Sequence, residues 1–96
     1  MRSIYVVCYD ISNDHRLRRV YKIMRGFGAH IQLSVFRCEL SARERVEMIA
    51  ALTPVINHDE DQVLLIDIGP ADGRGATVFQ ALGRAYHSPQ RHAIVV

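Results

Sequence analysis

"VVCYDI", Val6 to Ile11, holds the reading of this chain, because a run of β-prone residues stops there at a carboxylate. Tyr5, Val6, Val7, Cys8 and Tyr9 are all apolar or half apolar, as expected of a strand buried on both faces. Asp10 then has two readings. An acid at a strand end commonly caps the helix that follows. It is also where a strand hands a functional carboxylate to a site.

Outward from this strand the pattern changes period. Ser12, Asn13 and Asp14 are N-cap candidates, and Leu17, Val20, Met24 and Phe27 recur on one arc of a helix that Gly26 and Gly28 end. Arg18, Arg19, Lys22 and Arg25 fall on the opposite arc. Such a face is either a solvated surface or a grip for a polyanion. In "HIQLSVFRCEL", His30 to Leu40, Ile31, Leu33 and Val35 alternate with polar neighbours, giving a strand that breaks near Ser34 into two pieces. "SARE", Ser41 to Glu44, is a capping box, and the helix it opens places Val46, Ile49 and Ala50 on its apolar side, with Leu52 on the flank, before Pro54. The acidic turn "NHDED" leads into "QVLLIDI", Gln62 to Ile68, read as another buried strand.

"GPADGRG", Gly69 to Gly75, reads as a loop. It lacks the Gly-Lys-Ser/Thr or strand-to-helix glycine spacing of a phosphate cradle. Residues 76–86 form a short helix or an irregular arm, and "AIVV", Ala93 to Val96, reads as a terminal strand in need of a partner edge. The order predicts one α+β domain over residues 1–96: a ferredoxin-like βαββαβ sandwich with an additional C-terminal strand, residues 69–96 being loop and arm. Two helices on one sheet face leave the other face open. Strands apolar on both parities require that face to be covered, and a face-to-face homodimer is the simplest expectation.

Composition narrows the function. The 96 residues are 49% hydrophobic and 23% charged, which is ordinary for a folded domain and unlike a disordered one. No stretch reaches the length of a membrane span, and the run from Ile4 to Tyr9 is too short for a signal peptide, so a cytoplasmic protein is expected. Cys8 and Cys38 read as core thiols, and the five histidines show no zinc-ligand spacing. Charge is uneven. Residues 1–45 hold nine Lys or Arg against four Asp or Glu, whereas residues 46–96 hold three against six, so the front half is the expected polyanion surface.

Taken together, "YVVCYDI", "RRVYKIM", "GFGAHIQLSVFRCEL" and "DEDQVLLIDIG" resemble the small CRISPR-associated adaptation protein, the Cas-two family, over most of the chain. The resemblance implies a ferredoxin-like homodimer that joins the Cas-one integrase in inserting new spacers. It also implies a Mg²⁺-dependent endonuclease acting on single-stranded RNA or duplex DNA, with Asp10 as the metal ligand near the dimer axis. Tyr9, Arg19, Ser34 and Phe36 match family positions near that site, Tyr9, Arg19 and Phe36 standing with Asp10 as the candidate catalytic set. Arg16, Arg18, Arg19, Lys22 and Arg25 are the candidate nucleic-acid contacts, although Arg16 and Leu17 leave the register of the helix arginines open. His30 stands where many relatives carry a permanent cation, which makes any phosphate contact there dependent on pH. Two functions follow from the residues: a sequence-blind DNA-binding scaffold, or a nuclease with one Asp10 from each subunit. A metabolite-binding regulatory domain of the same fold has no pocket chemistry in the sequence to support it.

Overall fold

The computed structural model describes residues 1–73 and 79–87. Within them the chain forms β1 (Arg2–Asp10), α1 (Asp14–Arg25), β2 (Ala29–Gln32), β3 (Val35–Ser41), α2 (Ala42–Leu52) and β4 (Gln62–Pro70). The sheet order is β2-β3-β1-β4, and every neighbouring pair is antiparallel. This is the ferredoxin-like α+β arrangement, with β1 and β3 at the centre. The break expected near Ser34 is present, with Leu33 and Ser34 in the turn between β2 and β3.

Each helix begins where its cap dictates. The Asn13 side chain accepts the Arg16 amide, so Asn13 caps α1 and Asp10 does not. Ser41 and Glu44 complete the expected capping box, the Ser41 amide donating to Glu44 Oε1 at 2.8 Å. One face of α1 delivers Val20 and Met24 to a core built on Val7, Tyr9, Phe36, Cys38 and Leu40, joined by Met48, Leu52 and Val55. The inward side of α2 differs from the expected one. Met48 and Leu52, four residues apart, are its buried pair, whereas Val46 is 61% exposed and Ile49 and Ala50 also face outward. The apolar period was ambiguous because this helix is apolar on two sides.

Among the described residues, the other sheet face carries no helix. Register places Val6 beside Arg37 and Ile66, and Cys8 beside Val35 and Leu64, in a continuous row across β3, β1 and β4. The strand over Gln62–Ile68 is therefore not buried on both sides: among the described residues Leu64 is 49% and Ile66 46% exposed. Cys8 is half-buried on this face, and only Cys38 is a true core thiol. Beyond Pro70 the chain turns, so the loop begins two residues later than expected, with Gly69 and Pro70 still in β4. Residues 79–87 hold no helix or strand. Phe79 stacks on Tyr86 at 5.0 Å and meets the Arg37 guanidinium at 5.9 Å, so this arm reaches the open face where Arg37 is buried. The expected terminal strand lies outside the described residues, as does part of the expected helix or arm over 76–86.

Candidate nucleic-acid interface

The outward arc of α1 and the β2–β3 turn form the two sides of a groove of about 1040 Å³. Arg18, Arg19, Lys22 and Arg25 line it from the helix, and Leu33 and Ser34 from the turn. Tyr9 and Tyr21 supply aromatic surface. The turn is fastened to the end of β1 by the Tyr9 amide, which donates to the Ser34 carbonyl at 3.1 Å. Beneath the groove, Phe36 is fully buried and joins the rings together, its centroid 5.0 Å from His30, 5.8 Å from Tyr21 and 6.1 Å from Tyr9. Phe36 therefore acts on this surface through the rings it supports and does not itself meet a ligand.

The electrostatics are one-sided. Among the described residues no acid lines the groove, and Arg18, Arg19 and Lys22 are all exposed. Arg25 donates to the Tyr21 hydroxyl at 3.0 Å and lies over the same ring, which braces it at the rim. Burial, helped by the nearby Tyr21, raises the Tyr9 hydroxyl above its ordinary range, so Tyr9 stays protonated and available as a donor. His30 is exposed at the edge strand, where its Nε2 lies 2.7 Å from the Leu33 carbonyl and its ring packs edge-on against Tyr21. A surface with clustered cations, an apolar lining and no counter-charge suits a phosphate backbone.

Arg16 is placed elsewhere. Its Nε donates to Asp61 at 2.8 Å and its Nη2 to Glu60 at 3.0 Å, so this guanidinium is already occupied by protein carboxylates and does not line the groove. Sequence reasoning grouped it with the basic arc because "NHDED" gave only an acidic turn, with no sign that the turn folds back onto the start of α1.

Asp10 also lies outside the groove, on the other side of the sheet. Side chains alternate along a strand, so Asp10 shares the parity of Val6 and Cys8 on the open face, while Tyr9 points to the helices. It is exposed, and among the described residues its carboxylate makes no hydrogen bond or ion pair. Among the described residues its side chain neither caps a helix nor pairs with another group. As a metal site for one chain it is insufficient, since no group of three or more His, Cys, Asp or Glu gathers among the described residues. Mg²⁺ is commonly held by one or two carboxylates plus waters, so one exposed acid per copy fits such an ion only if two copies bring their acids together.

The profile of the CRISPR associated protein Cas2 family matches residues 2–73. A relative from Geobacter sulfurreducens, named a CRISPR-associated endoribonuclease Cas2, is 42% identical over 96 residues and covers 100% of both chains. One from Rhodospirillum rubrum with the same type of name is 40% identical, covering 96% of this chain and 89% of that one. Among solved structures, one described as cas2 superposes with a TM-score of 0.73 at 26% identity, covering 94% of this chain and 97% of that one. Streptococcus pyogenes Cas2 gives 0.71 at 26%, covering 83% and 99%.

Proposed function

This chain belongs to the CRISPR-associated Cas2 family, and from that premise we propose that it is a nucleic-acid-binding nuclease of CRISPR adaptation that works as a homodimer. The relatives named endoribonucleases support the nuclease reading. The observation that carries it to a residue is the exposed Asp10 carboxylate, on the open sheet face and without any structural partner among the described residues.

Two copies joined through the face that presents Val6, Cys8, Leu64 and Ile66 bury the apolar row and put both Asp10 side chains in one interface. In that arrangement the two Asp10 carboxylates would hold one Mg²⁺, and the ion would supply water activation and positive charge for hydrolysis of a phosphodiester. The chain's own contribution is to hold the strand: Arg18, Arg19, Lys22 and Arg25 bind its phosphates, and Arg19 has the fork geometry to clamp one of them bidentately. The groove and Asp10 lie on opposite sides of the sheet, which also favours a second reading. A non-catalytic scaffold would grip DNA through α1 and present its other surfaces to the Cas-one integrase.

Cleavage of labelled single-stranded RNA and duplex DNA by wild type and Asp10→Asn, each with Mg²⁺ and with chelator, separates the two readings. Loss of cleavage in Asp10→Asn and in chelator, with binding retained, supports the nuclease. If neither protein cleaves but both bind duplex in a salt-sensitive way, the scaffold replaces it. Arg18→Glu with Lys22→Glu is expected to weaken binding and lower the salt slope by about two. An unchanged affinity and slope would remove the groove from both readings.

A further inference from the structure

One buried carboxylate governs the geometry of the segment that follows Asp10. The last residue pair between β1 and β4 is Asp10 with Gln62, and the residue just before β4 is Asp61. Its side chain is wholly shielded from solvent. Oδ1 accepts the Ser12 amide at 3.0 Å, the Ser12 hydroxyl at 3.1 Å and Arg16 Nη2 at 3.2 Å. Oδ2 accepts Arg16 Nε and the Asn57 amide, each at 2.8 Å. Arg16 Nη2 and the Ser12 hydroxyl also reach Glu60 Oε1, at 3.0 and 3.3 Å.

These bonds tie three pieces of chain to a single point. They are the β1–α1 turn at Ser12, the first turn of α1 at Arg16, and the α2–β4 loop at Asn57. The Ser12 amide would otherwise be an unmatched donor beyond the end of the ladder, and the Asp61 carboxylate extends the ladder past Gln62 in its place. A wholly shielded carboxylate is tolerated because both oxygens are fully engaged and a guanidinium meets it side-on. Two residues before Ser12, the Asp10 carboxylate makes no hydrogen bond or ion pair among the described residues, so its direction follows the backbone held on one side by the Gln62 rung and on the other by the Asp61–Ser12 bonds.

We infer that Asp61, acting through Ser12 and Arg16, is a positioning residue for Asp10. This rests on the reading of Asp10 as a metal ligand given above. It also gives Arg16 a role distinct from the basic arc: it orients the strand-end acid and does not bind nucleic acid. Outer partners that orient a metal-binding carboxylate typically contribute about 10- to 100-fold in metal affinity or activity.

The test uses the full chain as wild type, Asp61→Asn, Arg16→Gln, Ser12→Ala and Asp10→Asn, each at a temperature where circular dichroism shows it folded. Two readouts are taken. Mn²⁺ alone is titrated while its paramagnetic broadening of the Asp10 amide signal is followed by NMR, and kcat and Kd are measured on one labelled single-stranded RNA. Asp61→Asn and Arg16→Gln are expected to raise the Mn²⁺ midpoint and lower kcat by roughly 10-fold or more, with Kd for the RNA changed less than about 2-fold. Ser12→Ala, which removes the hydroxyl bonds and leaves the ion pair, shifts both in the same direction by less, and it decides the matter if Asp61→Asn does not fold. A role confined to global stability would leave the Mn²⁺ midpoint of the folded protein unmoved. Loss of Mn²⁺ binding in Asp10→Asn with unchanged values in Asp61→Asn and Ser12→Ala overturns the inference and leaves the Asp10 reading intact. If Asp10→Asn matches wild type in both readouts, the Asp10 reading itself fails and this inference goes with it. A fall in RNA affinity for Arg16→Gln as large as that for the α1 charge reversals would return Arg16 to the binding surface.

Discussion

Gly28 offers the sharpest test of how this fold is packed. It lies three residues beyond the end of α1, its amide donating to the Met24 carbonyl at 3.0 Å, and its backbone is not in the left-handed region that favours glycine. What it needs is space. A Cβ there would overlap Cys38 Sγ, stand 2.6 Å from the Arg37 carbonyl oxygen and 3.1 Å from Cys38 Cα. Two of those three atoms are backbone of β3, a central strand paired on both edges, so the helix end must move instead. Forcing a methyl group into a packed core costs about 1–3 kcal/mol, and the immobile backbone places Gly28→Ala in the upper half of that range, roughly 2–3 kcal/mol. At about 4–8 °C per kcal/mol for a domain of this size, the midpoint falls by about 8–24 °C. Gly26→Ala is the control. Gly26 is right-handed helical, with φ −81° and ψ −12°, and its added Cβ would meet only the Ile23 carbonyl, at 3.3 Å. Its midpoint is expected to stay within about 3 °C, since lower unfolded-state entropy offsets the tight contact. Thermal unfolding followed by circular dichroism measures both. Equal midpoints for Gly28→Ala and wild type would refute the argument that α1 can approach β3 only because this position lacks a side chain.

Two further outcomes are expected. The Arg16 guanidinium, aided by the Asn57 and Ser12 donors, holds the Asp61 carboxyl well below the usual carboxylate range. A folded-state pKa depressed in this way contributes stability that is present above the unfolded value of about 4 and is lost as pH falls below it. The wild-type melting temperature should therefore drop more steeply between pH 5 and pH 3 than that of Asp61→Asn, and parallel profiles would show that Asp61 is not the linked group. Ile66→Lys places a charge on the open sheet face, midway along edge strand β4. If that face joins two copies, the change should weaken association by at least about 30-fold, the equivalent of losing roughly 2 kcal/mol at an interface centre. Light scattering at micromolar concentration reads the result, and a dimer that persists unaltered in the variant would refute the open-face interface.

The fold was legible because its punctuation is local. Asn13 and the Ser41–Glu44 box open the helices, Ser34 breaks the strand, and the alternation of period along the chain leaves few other topologies. What periodicity left unresolved was direction. In α2 the residues Val46, Ile49 and Ala50 fit an apolar arc as well as Met48 and Leu52 do, and only packing against the sheet selects between them. Gly28 shows the same limit, since a glycine after a helix reads as a terminator while its reason for being there lies ten residues away in β3.

The site divides in the same manner. The basic arc of α1 is a property of one helix, and the sequence shows it directly. The fate of Arg16 depends on a contact 45 residues away, and no spacing rule connects the two positions. Asp10 was ambiguous for a different reason: cap and ligand call for the same residue at the same strand end, and what distinguishes them is whether the carboxylate has a partner. Asn13 takes the cap, and Asp61 takes the turn amide and the nearest arginine, so each local structural task around Asp10 is filled by another side chain. An acid kept free in that way, on the face that a second copy would cover, is arranged to be completed from outside its own chain.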